Sequence, residues 1–89
     1  VDEDEDDFDI GDVCFYERTR YRGDSFCVEE GTSIRNLREW SDRISSIENP
    51  DGLRVTVCLE RGYRDCRTYA SNARSLGAFD DDISSLRVR

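Results

Sequence analysis

Hydrophobic positions fall in short runs, none longer than a strand. Residues 13–16, 25–28, 53–59 and 67–69 are short stretches carrying apolar or aromatic residues, and Gly, Asn, Asp and Ser separate them. That punctuation predicts an all-β chain. No stretch sustains the 3.6-residue spacing of a long helix, and the best helical candidates, residues 33–40 and 71–79, amount to a turn or two. Asn49-Pro50-Asp51-Gly52 is a strong turn signal.

The polar positions carry a repeat. Ser41-Asp42-Arg43-Ile44-Ser45-Ser46 returns thirty-nine residues later as Asp80-Asp81-Asp82-Ile83-Ser84-Ser85, each copy preceded by an aromatic, Trp40 or Phe79. The match runs without a gap from residues 33–47 onto 72–86 and pairs Arg35 with Arg74, Leu37 with Leu76, and Ile47 with Leu86. A fixed-period recurrence in so short a chain means a duplicated unit, with the turn at residues 49–52 between the copies.

Length changes what must hold such a fold together. At 89 residues the chain has room for one small domain, which buries only about 60–65% of its unfolded surface and is marginally stable on its core alone. The supplements on offer are four cysteines and bound metal. The net charge of -8 is unevenly spread: residues 1–12 hold eight acidic groups and no base, whereas residues 13–89 hold thirteen of each sign. Residues 1–12 are therefore expected to be a solvated, disordered tail, and the rest a near-neutral domain without the phosphate-binding groove of a nucleic-acid binder. An EF-hand reading of the tail fails, since counting from Asp2 its sixth and twelfth places hold Asp7 and Val13 where Gly and Glu are needed.

Histidine is absent, which removes the usual general base and the commonest nitrogen ligand for zinc or copper. No enzyme is expected. No apolar run approaches the roughly twenty residues of a membrane span. Because the sequence opens on Val1, the expectation is a mature product or one domain of something longer.

Tyr16-x4-Tyr21-x-Gly23 in a hairpin, a second strand bounded by Gly31, and a closing Asp-x-Ile-Ser-Ser loop together resemble the Greek key motif of βγ-crystallins, twice over residues 13–89. The resemblance implies a sandwich of two Greek key motifs, eight strands in two four-stranded sheets. Residues 13–89 then form a single domain, with motif one at about 13–50 and motif two at about 53–89. In the second hairpin, residues 58–65, Leu59 is expected where Tyr16 stands and Asp65 where Gly23 stands, one residue shorter than the first. The Gly place calls for a positive φ, which Asp tolerates.

The microbial, calcium-binding members carry the loop Asn/Asp-Asn/Asp-x-x-Ser/Thr-Ser. Residues 80–85 fit at every place, and residues 41–46 depart only at Ser41. Calcium takes six to eight oxygens, and carboxylate, carbonyl, hydroxyl and water all serve. The resemblance implies two Ca2+ ions and a ligand set exchanged between the loops: backbone carbonyls of Arg43 and Asp82, hydroxyls of Ser45 and Ser84, carboxylates of Asp42 and Asp81, and hairpin backbone oxygens near Glu17 and Glu60. Arg43, its own charge turned to water, still repels the metal, and Asp82 at the equivalent place attracts it, so the sites should differ. Affinities of roughly 10⁻⁵ to 10⁻³ M are expected. The competing reading is that Ile-Ser-Ser merely turns a strand, as in lens relatives that have lost their ligands.

Cys14 with Cys27, and Cys58 with Cys66, each flank one predicted hairpin at spacings unlike those of zinc sites. Disulfides within hairpins lead among the three pairings. If they form, a secreted or cell-surface protein follows; otherwise a cytoplasmic one. Trp40 and Phe79 read as core plugs under the loops. Arg22-Gly23-Asp24 spells an adhesion tripeptide, but the hairpin already requires its Gly. The expectation is a monomeric, calcium-stabilised structural or stress-related module without a nucleic-acid partner. The alternative is a secreted, disulfide-bonded protease inhibitor or toxin on the same scaffold.

Overall fold

Seven strands build two antiparallel sheets in the computed structural model, which describes residues 13–89. The acidic segment 1–12, expected to be disordered, lies outside the described residues. One sheet runs β2 (Arg22–Val28), β1 (Val13–Arg18), β4 (Ser46–Glu48). The other runs β3 (Ser33–Ile34), β7 (Ser85–Val88), β5 (Val55–Glu60), β6 (Arg64–Tyr69). The short helical candidates reduce to single 3-10 turns, Arg38–Trp40 and Gly77–Phe79.

The Greek key exchange is visible in the pairing. β3 of the first half pairs with β7 of the second, Ile34 opposite Leu86, while Ala73 of the second half bridges back to Ile47 of the first. Ala73 stands where Ile34 stands in the repeat, and its segment makes one bridge instead of a strand, so the expected eighth strand is lost and one sheet has three members. The bridge is still complete: Ile47 and Ala73 exchange both backbone bonds, at 2.9 and 2.8 Å.

Alternation decides what faces inward. Val13 and Phe15 of β1 and Val55 and Val57 of β5 are fully buried, every second residue of each strand. They meet Ile44, Ile47, Ile83, Leu86 and Val88 between the sheets. Trp40 and Phe79 are only partly buried against this core, which corrects their reading as plugs. Each instead lies under a guanidinium, Arg43 at 4.5 Å and Arg67 at 4.7 Å.

The register also corrects the alignment of the hairpins. Tyr16 pairs with Ser46, and Cys58 pairs with Ser85, the same place in the second hexapeptide. Cys58, not Leu59, therefore stands where Tyr16 does, so residues 16–23 match 58–65 one for one. The second hairpin is still one residue shorter, as expected, because Tyr16 pairs with Ser25 across a β-bulge whereas Cys58 pairs with Cys66. Glu17 then corresponds to Leu59, and Glu60 to Arg18. The sequence match misleads because Leu and Tyr look alike as apolar residues, whereas strand pairing is fixed by backbone bonds. The Gly23 and Asp65 equivalence holds, with φ of 83° and 56°.

Asn49, buried at the handover between motifs, carries more than a turn. Its amide donates to the Leu53 carbonyl at 2.7 Å and accepts from the Leu53 N–H at 3.0 Å, and its own N–H donates to the Asn72 side chain at 2.6 Å. Removing the side chain strands two backbone groups at once. Asn49→Ala should destabilise the fold by about 2 kcal/mol in urea titration, an effect Pro50→Ala should not match.

Candidate functional site

Each 3-10 turn delivers the chain into one hexapeptide, and the two loops interlock about a pseudo-twofold. Asp42 and Asp81 both take left-handed backbone, φ 66° and 61°, a conformation Asp tolerates. From there each N–H donates across to the other loop, Asp42 to the Ile83 carbonyl and Asp81 to the Ile44 carbonyl, both at 2.9 Å. Ser45 N–H donates to the Tyr16 carbonyl and Ser84 N–H to the Cys58 carbonyl, both at 2.8 Å. Loops and hairpins thus form one bonded unit.

The last serine of each loop is a clasp that sequence reasoning assigned no role. Ser46 Oγ donates to the Arg18 carbonyl at 2.6 Å and accepts from Tyr21 N–H at 3.0 Å. Ser85 Oγ repeats this with the Glu60 carbonyl at 2.7 Å and Tyr63 N–H at 3.1 Å. Both serines are fully buried. The signal was in plain view, since Ser46 and Ser85 close both copies of the repeat.

Among the expected metal ligands the structure joins one pair directly. Ser45 Oγ donates to Asp81 Oδ1 at 2.9 Å, hydroxyl of one loop to carboxylate of the other, as an exchanged ligand set requires. The second site is assembled differently, for Ser84 Oγ shares a 2.9 Å hydrogen bond with Ser41 Oγ and not with Asp42, although Asp42 and Asp81 are both exposed. Asp82 is exposed as well. Asp80, the counterpart of Ser41, keeps Oδ1 buried and without a hydrogen-bond partner among the described residues. A buried, unpaired carboxylate oxygen at this turn is the donor a cation would satisfy. Among the described residues no three acidic, His or Cys side chains converge, so an ion here would draw mainly on carbonyl and hydroxyl oxygens.

Arg43 does not turn its charge to open water. Its Nη2 lies 3.0 Å from Glu17 Oε2 and 3.7 Å from Asp24 Oδ2, with the guanidinium over Trp40. The reason is local: Glu17 and Asp24 sit on adjoining strands beside the loop and offer two carboxylates to a planar cation. The Glu17 carboxyl is held below the usual carboxylate range by that hydrogen bond. Its contribution to stability is thus present at neutral pH and fades as pH falls through the lowered value. Because the pair is still about one third accessible to solvent, the acid-side loss should be small, should shrink at high salt, and should vanish in Glu17→Gln when stability is followed against pH.

Around Glu60 and Ser84 the surface is different again. They line an open cleft of about 550 Å³ with Arg35, Arg61, Gly62 and Arg64. Gly62 N–H donates to the Arg35 carbonyl at 3.0 Å, fixing the hairpin tip against the first motif.

Both expected disulfides are formed, Cys14–Cys27 and Cys58–Cys66, each joining directly opposed residues of one hairpin. They are not equivalent in the repeat. Where Cys14 and Cys27 sit in the first hairpin, the second has Thr56 and Thr68, whose hydroxyls share a 3.1 Å hydrogen bond.

Residues 5–70 match the model of peptidase inhibitor family I36. The chain belongs to that family. No curated protein matches its sequence. Among solved structures, the N-terminal domain of Protein S superposes with a TM-score of 0.77 at 21% identity, covering 88% of this chain and 94% of that one. A βγ-crystallin domain from Clostridium beijerinckii gives 0.76 at 25% identity over 85% of this chain and 94% of that one. One from Flavobacterium johnsoniae gives 0.76 at 22% over 86% and 92%. This I36-family chain therefore has the βγ-crystallin fold. The family whose model matches is a family of peptidase inhibitors. No helix among the described residues is long and apolar enough to cross a membrane.

Proposed function

We propose that this I36-family domain is a calcium-stabilised βγ-crystallin scaffold whose interlocked loops hold two Ca2+ ions of unequal affinity. The observation that carries the reading is the Ser45–Asp81 contact between loops, beside the loop's buried, unpaired Asp80 oxygen. The first site draws on Ser45, Asp81, the Arg43 carbonyl and a hairpin carbonyl near Glu17. The second draws on Ser84, Asp42, the Asp82 carbonyl and one near Glu60. The first fills before the second, against the order the charges of Arg43 and Asp82 suggest. Glu17 offsets the Arg43 charge and the first site's hydroxyl and carboxylate are already together, whereas Ser84 must leave Ser41 and lies in a cleft with three arginines. Bound calcium supplies a positive centre that ties the two motifs together and favours the folded state over the unfolded one.

Trp40 reports on the first loop, since Arg43 stacks on it. Calcium titrated into chelated protein should change its fluorescence in two unequal steps, and Asp81→Ala should abolish the tighter one. A titration with no change in wild type, or one step of identical sites, would sink the reading.

Family membership favours a second function on the same scaffold, peptidase inhibition, and the disulfide-tied hairpins suit a secreted inhibitor that must resist cleavage. The test is residual activity of representative serine and metallopeptidases titrated with the chain. Stoichiometric loss of activity in one class supports it, and slow hydrolysis of the chain without inhibition counts against it.

A further inference from the structure

The cleft beside the second loop is built for negative charge. Two adjoining hollows, of about 550 and 420 Å³, share Arg35, Arg61 and Gly62 as walls. Arg64 completes the first. The Arg35 guanidinium reaches over the hairpin tip, its Nη2 only 3.9 Å from where a Gly62 side chain would begin. Gly62, at φ 78°, leaves the space a ligand would enter. Against three guanidiniums the lining offers one carboxylate, Glu60, and among the described residues no ion pair engages Arg35, Arg61 or Arg64. By contrast Arg43 is paired with Glu17, and Arg67 and Arg87 lie over aromatic rings.

We propose that this cleft is a binding site for an acidic peptide segment of a partner protein, one presenting several carboxylates in succession. Arginine forks take carboxylates in two parallel hydrogen bonds, and three of them around one hollow suit a run of such groups better than one. Size argues the same way, for several hundred Å³ exceeds what a single small oxyanion fills. The backbone under the site is set in advance: the Cys58–Cys66 bridge, the Gly62 bond to Arg35 and the Ser85 clasp leave little for binding to order. The site is distinct from the calcium reading in charge, although Ser84 and Glu60 border both.

The test uses the full chain in chelator, so that calcium plays no part, with a fluorescently labelled hexa-aspartate peptide followed by anisotropy. Binding is expected although the chain's net charge of -8 opposes it, and it should weaken with salt. Replacing Arg35, Arg61 and Arg64 with Gln should weaken it at least about tenfold. Replacing Arg22, Arg54 and Arg89 with Gln, an equal change in charge at residues that do not line the cleft, should weaken it less than about twofold. Circular dichroism and melting curves confirm that both variants fold. No binding by wild type, or equal losses in the two variants, overturns the proposal. So does full displacement of the peptide by millimolar inorganic phosphate, which would make the ligand a small oxyanion.

Discussion

Reducing both disulfides should remove about 5 kcal/mol from the stability of the domain. The bridges span 13 and 8 residues, and loops of that size restrict the unfolded chain by about 2.5–3 kcal/mol each. A folded unit of this size holds only about 4–11 kcal/mol in total. Urea unfolding with and without dithiothreitol measures the difference, and Cys14→Ala with Cys27→Ala against Cys58→Ala with Cys66→Ala apportions it. The first pair should cost slightly more, having the longer loop. The Thr56–Thr68 hydrogen bond at the corresponding place in the second hairpin is no substitute, being worth about 1 kcal/mol or less. Unchanged midpoints on reduction would mean that the sandwich core suffices alone.

Calcium should have an effect of similar size. An ion that binds only the folded chain, at a hundredfold excess over its Kd, adds about 2.7 kcal/mol. In a domain of this length that raises Tm by roughly 10 to 20 °C per filled site. Scans in calcium and in chelator should differ by this amount, and Asp81→Ala should lose the first site's share while retaining a smaller shift from the second. Asp82→Ala should lose less than Asp81→Ala, because the second loop is expected to use the Asp82 carbonyl. If the two variants lose equally, the division of labour between side chain and backbone is wrong.

Most of the architecture was legible because duplication and alternation are written in residue types. Val13, Phe15, Val55 and Val57 alternate, and the hexapeptides mark where strands close. What the sequence hid was governed by backbone geometry. Leu59 passes for an equivalent of Tyr16 until the pairing of Cys58 with Ser85 places it one position on. Ala73 gives no sign that its strand shrinks to a bridge.

The candidate site divides in the same way. Ser45 and Asp81 meet as the repeat suggested, but Asp42 and Ser84 do not, since Ser41 offers a hydroxyl closer at hand. Arg43 was legible as a cation near the site. Its anchorage to Glu17 was not, because the carboxylate lies 26 residues earlier in the chain. The left-handed φ at Asp42 and Asp81 also shows that those aspartates meet a backbone requirement as well as a chemical one. Mutating them therefore needs a control such as Asn, which keeps the turn and removes the charge.

Equilibrium dialysis of the oxidised chain against millimolar Ca2+ tests the central claim most directly. Two ions per molecule, one held more tightly and lost in Asp81→Asn, is the expected result; protein that emerges with no calcium would contradict it.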